Sequence, residues 1–140
     1  MKTIHPSGML KAALLADAVA SGALALLQLL MNRSLTQWLA LDGRLLLYTG
    51  IFLLGYANLL LVLAHTDRIW PWLVRLIIAG NGAWAAACLA LVALPGQAPT
   101  PLAAAFLGLH AAGTLAFAAW EHAGLRASSG MRRGLAHGQP

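Results

Sequence analysis

The sequence predicts an all-α, polytopic membrane protein: a bundle of four transmembrane helices with both termini on the cytoplasmic side. Three observations carry that expectation. Of the 140 residues, 60% are hydrophobic and only 9% are charged, whereas a water-soluble domain carries about 25% charged residues and needs them for its outer shell. The apolar residues gather into four runs, each near the length required to cross a hydrocarbon core of about 30 Å. The Lys and Arg residues stand at the ends of those runs and favour one side, as they do in membrane proteins.

The first run covers about 9–31 and is interrupted by Lys11, Asp17 and Gln28. It resembles a secretory leader in having Lys2 and Lys11 ahead of Ala18-Val19-Ala20, but it continues without a charge to Leu27. That is longer than the roughly 7–15 residue core of a cleaved leader, so the run reads as a retained helix. Residues 32–43 (NRSLTQWLALDG) place Leu35, Trp38 and Leu39 at helical spacing behind Ser34, a suitable cap. They predict a short helix lying in the headgroup region with Trp38 as its anchor. The second run covers 45–64. A tight turn, HTDRIWP, then leads to the third run, 72–94, with Pro71 placed as a first-turn residue. PGQAPTP is an uncharged Pro/Gly turn, and the fourth run covers 102–120. The transmembrane domain is thus 1–124. Residues 125–140, rich in Gly, Ser and Arg, are expected to form a basic, flexible cytoplasmic tail. No segment alternates with a period of two, which excludes a barrel.

Four spans put the N-terminus, the second turn and the tail on one side. That side holds Lys2, Lys11, Arg68, Arg75, Arg126, Arg132 and Arg133, against Arg33 and Arg44 on the other. The positive-inside rule makes the richer side cytoplasmic, and Arg126, Arg132 and Arg133 are candidates for contact with lipid headgroups. The expected location is the inner membrane of a bacterium, multi-pass. The formal charge of +5 sits at the ends of apolar runs and not on a soluble basic face, so no nucleic-acid partner is expected.

The chemistry-bearing residues are few. Cys88 is a lone thiol in an apolar run and reads as packing. There is no phosphate loop, nucleophile elbow or metal-protease helix, and the chain does not read as an enzyme. His65 and His122 fall at matching depth, so a bis-histidine haem site can be drawn, but no further motif supports it; no cofactor and no metal are expected. Inside the spans the polar residues form two stripes. At about 100° per residue, Asp17, Ser21 and Gln28 share one face of the first helix within about 40°, and His110, Thr114 and Glu121 share one face of the fourth. Both stripes are expected to face the interior, because an ionisable group exposed to lipid costs a few kcal/mol. The candidate intramembrane polar site is Asp17, Ser21, Asn58, Asn81, His110 and Thr114. Asp17 would be its proton- or cation-binding carboxyl and His110 a partner or relay. The same residues also read as polar glue between helices, with a protonated Asp17. Glu121 is expected near the membrane surface, paired with Arg75. Ala18-x-x-x-Gly22 and Ala104-x-x-x-Gly108 fit the small-residue spacing that allows close helix packing.

The segments IIAGNGAWAAACLAL and LHAAGTLAFAAWEHAGLR give the chain a layout that resembles small bacterial four-helix integral membrane proteins of unassigned function. A single acid in the first span, Asp17, also resembles the small multidrug-resistance transporters. Those have shorter loops, little charge bias and usually Glu at that place. The functional expectation is an accessory, assembly or interaction subunit without catalytic chemistry, in contact with the lipid bilayer and with a membrane-protein partner or a second copy. The alternative is a proton- or cation-coupled transporter of small molecules that uses Asp17.

Overall fold

The first helix begins where Ser7 can cap it: its Oγ accepts from Leu10 N at 3.2 Å, satisfying one of the amide groups a helix start leaves free. From there the chain forms five helices, α1 (Gly8–Leu30), α2 (Asn32–Leu39), α3 (Gly43–His65), α4 (Pro71–Ala93) and α5 (Pro101–His137). The computed structural model describes residues 3–93 and 100–137, and side chains as far as Ser129. Among these residues the architecture is all-α. Four helices are long and apolar enough to cross a membrane: Gly8–Leu30, Gly43–His65, Pro71–Ala93 and Pro101–Ser129. They agree with the four runs to within two residues, except at the end of the fourth.

Helix α1 is the hub. It packs closely against α3 and α5, and α5 in turn packs against α4, while α3 and α4 meet only through side chains. One of the two small-residue pairs is used in this way. Ala18 is buried, and a Cβ on Gly22 would stand 3.6 Å from Ala57 of α3, ordinary contact distance. Gly108, by contrast, faces open space, so Ala104-x-x-x-Gly108 makes no close helix crossing. The α3–α4 seam is bridged by stacking of Phe52 on Trp84, with ring centroids 5.6 Å apart.

The two ends of the bundle are closed differently. At the end carrying the N-terminus, Ile4 and Ile69 exchange both backbone hydrogen bonds at 2.9 Å, so residues before α1 pair with the α3–α4 connection. Both side chains are buried in the core with Leu10, Leu14, Leu60, Val74 and Leu125. Pro71 opens α4 as its first residue, where a missing N–H costs nothing. At the opposite end α2 lies across the bundle, with Leu35 and Leu39 buried against Leu46 and Ala103 and with Trp38 exposed. The cap expected from Ser34 is not used. Helix α2 begins earlier, at Asn32, with Met31 at its N-cap and no side-chain cap bond. The Asn32 amide instead donates to Gly43 O at 3.0 Å, joining α2 to the start of α3. Ala40, in the left-handed region at φ 52°, reverses the chain between them.

The segment expected to be a flexible tail differs most. Helix α5 continues without interruption through 125–137. Ala, Leu and Arg favour a helix, and Leu125 and Ser128 are buried against the start of the chain, which holds the extra turns in place. Of the expected Pro/Gly turn at 95–101, residues 95–99 lie outside the described residues, and Thr100 caps α5, its Oγ1 accepting from Ala103 N at 3.1 Å.

Candidate functional site

Helices α1, α3, α4 and α5 each contribute to one buried polar cluster. Asp17 is at its centre, 1% exposed. Ser21, one turn along α1, donates to Asp17 Oδ1 at 2.9 Å. The other carboxyl oxygen lies 3.0 Å from the Tyr56 hydroxyl of α3 and receives the Asn81 amide of α4 at 2.9 Å. The same amide nitrogen reaches Glu121 Oε2 of α5 at 3.4 Å. Tyr56 also stands 3.1 Å from Asn81 Oδ1, so its one proton can serve either neighbour. Glu121 is fully buried, and its Oε1 has no hydrogen-bond partner.

The cluster has no cation. Among the described residues the one ion pair joins Lys11 to Asp67, at 3.2 Å on the surface, where such pairs contribute at most about 1 kcal/mol. Arg75 is exposed on α4 and does not pair with Glu121, which corrects the expectation that this acid is a surface charge. The sequence placed Glu121 one residue beyond the fourth apolar run, at a membrane boundary. The end of the bundle lies further along, because residues 4–7 and Ile69 cover it and α5 continues beneath them. The signal for Glu121 was its place on the stripe with His110 and Thr114. Tyr56 carried none, since an aromatic ring in an apolar run reads as packing.

A cavity of about 260 Å³ adjoins the cluster, lined by Asp17, Ser21, Trp84, His110, Gly113 and Thr114 among others. The two predicted stripes therefore face each other across it. His110 Nδ1 donates to Phe106 O of its own helix at 2.9 Å, since a carbonyl can only accept. That leaves Nε2 of a neutral imidazole as an acceptor. Both His110 Nε2 and the Trp84 indole N–H are buried without a partner. The same two side chains also line a second cavity of about 140 Å³, nearer α2, with Gln28, Leu46, Cys88 and Phe106. There the Thr49 hydroxyl meets Gln28 Oε1 at 2.8 Å. Polar groups thus follow one another along the bundle axis from Glu121 and Asp17, past His110, to Gln28 and Thr49.

The remaining predicted residues are elsewhere. Asn58 is exposed and donates to Leu54 O of its own helix at 2.8 Å; it is not part of the cluster. Thr114 lines the cavity while donating to the backbone of α5. Arg126 is exposed, and the side chains of Arg132 and Arg133 lie outside the described residues. His65 and His122 are both exposed, and among the described residues no group of three His, Cys, Asp or Glu is placed to hold a metal ion.

No protein-family profile, curated protein or solved structure matches the chain. The likeness to small four-helix membrane proteins rests on layout: four helices long and apolar enough to span, plus the short α2.

Proposed function

We propose that the protein is a proton- or cation-coupled carrier of small solutes, multi-pass in a bacterial inner membrane. Its termini and the α3–α4 connection face the cytoplasm, in line with the distribution of Lys and Arg. The observation that carries this reading is a fully buried acid, Asp17, lining a cavity that is followed by a second one further along the axis. Burying an ionisable group is costly, and in a membrane it usually marks a path for ions or protons. Helix-to-helix bonding alone would be served at lower cost by Asn or Ser. His110 and Trp84 stand between the two cavities, where the unpartnered acceptor and donor suit water or a small polar solute once the wall shifts. Exposed Arg126 on α5, together with Arg132 and Arg133, would meet anionic headgroups.

The second reading is an accessory or assembly subunit bound to another membrane protein or to a second copy. It is favoured by the hydrogen bonding of Asp17, whose two oxygens are met by Ser21, Tyr56 and Asn81 from three helices, as polar glue requires. Flux in reconstituted vesicles separates the two. The carrier reading expects proton flux through the wild-type protein that Asp17→Asn abolishes while the helix content and dispersity of the protein are retained. Flux that is absent, or unchanged in Asp17→Asn, would overturn it. Co-purification of a partner with both forms would then support the subunit reading.

A further inference from the structure

We infer that Glu121 and Asp17 hold a single proton between them, so that the proton-binding unit of this protein is a carboxyl pair contributed by its first and last spans. The inference deepens the carrier reading for the same site, and rests on it for its role in transport but not for its chemistry.

The argument starts from what surrounds each acid. Asp17 is met by Ser21 from α1, Tyr56 from α3 and Asn81 from α4. Glu121, on α5, is met by the Asn81 amide through Oε2 at 3.4 Å, and the same nitrogen lies 2.9 Å from Asp17 Oδ2, so the two carboxyls flank one donor atom. No Lys, Arg or His belongs to the cluster. Asn81 Nδ2 has two hydrogens to offer to the two acids, whose oxygens lie 2.9 and 3.4 Å from it. Glu121 Oε1 has no hydrogen-bond partner while being closed off from solvent.

Two carboxylates in that setting would be two like charges with one neutral donor between them, in an interior that solvates neither. One proton removes both difficulties. It turns one acid into a donor toward the other and leaves one negative charge, which Ser21, Tyr56 and Asn81 can support. Protonation of the pair is then a joint event and belongs to neither residue alone. Moving this proton takes a water or solute arriving through the cavity on the Asp17 side, since Glu121 does not line that cavity. Asp17 is accordingly the exchanging member and Glu121 the holding one.

The test is infrared difference spectroscopy of the full chain in lipid vesicles, following the carbonyl stretch of protonated carboxyl groups at neutral pH in H2O and D2O. The expected result is one protonated carboxyl band per chain, shifted in D2O. Glu121→Gln should remove the band, because the remaining Asp17 keeps three donors and no acid to share with. Asp17→Asn should shift the band without removing it. Tyr56→Phe, which preserves the shape of the core, should also move it. Absence of the band in the wild type, or a band indifferent to both acid substitutions, would overturn the inference. Removal of the band by sodium ions at constant pH would overturn it as well, by showing that a metal cation and not a proton lies between the acids. The wild-type spectrum needs no variant to fold. A band that behaves as expected in a protein without flux would leave the pair standing and remove the carrier reading, so the two can fail separately.

Discussion

The two halves of helix α5 are packed to different tolerances. Toward the N-terminus of the chain the backbones themselves are in contact. A Cβ on Gly124 of α5 would stand 2.7 Å from Leu10 Cα of α1. Just beside it, Ser7 N donates to Ser128 Oγ at 2.8 Å and the Ser7 hydroxyl reaches Gly124 O at 3.0 Å. Toward α2 the same helix packs through side chains, and two cavities remain beside it. Added Cβ atoms on Gly108 and Gly113 would meet nothing within 4 Å. The acid cluster lies at the border of the tight half of α5, with those two cavities beside its loose half. An arrangement of several hydrogen bonds from four helices needs fixed backbones to hold it, whereas side chains around a cavity need room to shift. The molecule separates these requirements along its axis.

Substitutions can break that contrast or sharpen it. The largest effect is expected at the tightest crossing. Gly124→Ala places a methyl against backbone that cannot yield, with an expected loss of about 3 kcal/mol or more, at the upper end of overpacking costs. Gly113→Ala, on the same helix in the loose half, is expected to be neutral or slightly stabilising, since Ala is the better helix former by about 1 kcal/mol. Thermal unfolding of both in detergent, followed by circular dichroism, measures the difference; equal melting temperatures would mean that the halves do not differ. A smaller loss, about 2 kcal/mol, is expected for Asn81→Leu, which takes a donor from two buried acids at once. Denaturant titration in mixed micelles gives that value, and an unchanged midpoint would remove Asn81 from the cluster. The smallest effect belongs to Asn58→Leu, within about 0.5 kcal/mol, because that exposed side chain bonds only its own helix.

Much of this was legible in the sequence. The four spans follow from run length and charge placement, and the stripes Asp17-Ser21-Gln28 and His110-Thr114-Glu121 do face each other, because spacing along a helix fixes direction. What spacing cannot give is depth. Glu121 read as a surface charge since its place in the membrane depends on how far the bundle extends, and that is set by the pairing of Ile4 with Ile69, a contact between residues far apart in the chain. Asn58 shows the converse. Its depth resembled that of Asn81, but its direction is outward, and an Asn able to bond its own backbone leaves no trace of that choice in the sequence. Tyr56 and the two cavities arise from how four helices tilt together, which no single run records.

The acids of the pair are also separated in time. Translation delivers Asp17 with α1 and Glu121 with α5, so the first acid is made before its partners on α3, α4 and α5. A carboxylate in mid-membrane costs about 3 kcal/mol on insertion scales, and within its own helix Asp17 has one companion, the Ser21 hydroxyl a single turn away. Each later span brings another partner, and the arrival of α5 at Gly124 closes the bundle. A chain that ends before α5 therefore holds Asp17 without Glu121 and without the contact of Gly124 on Leu10.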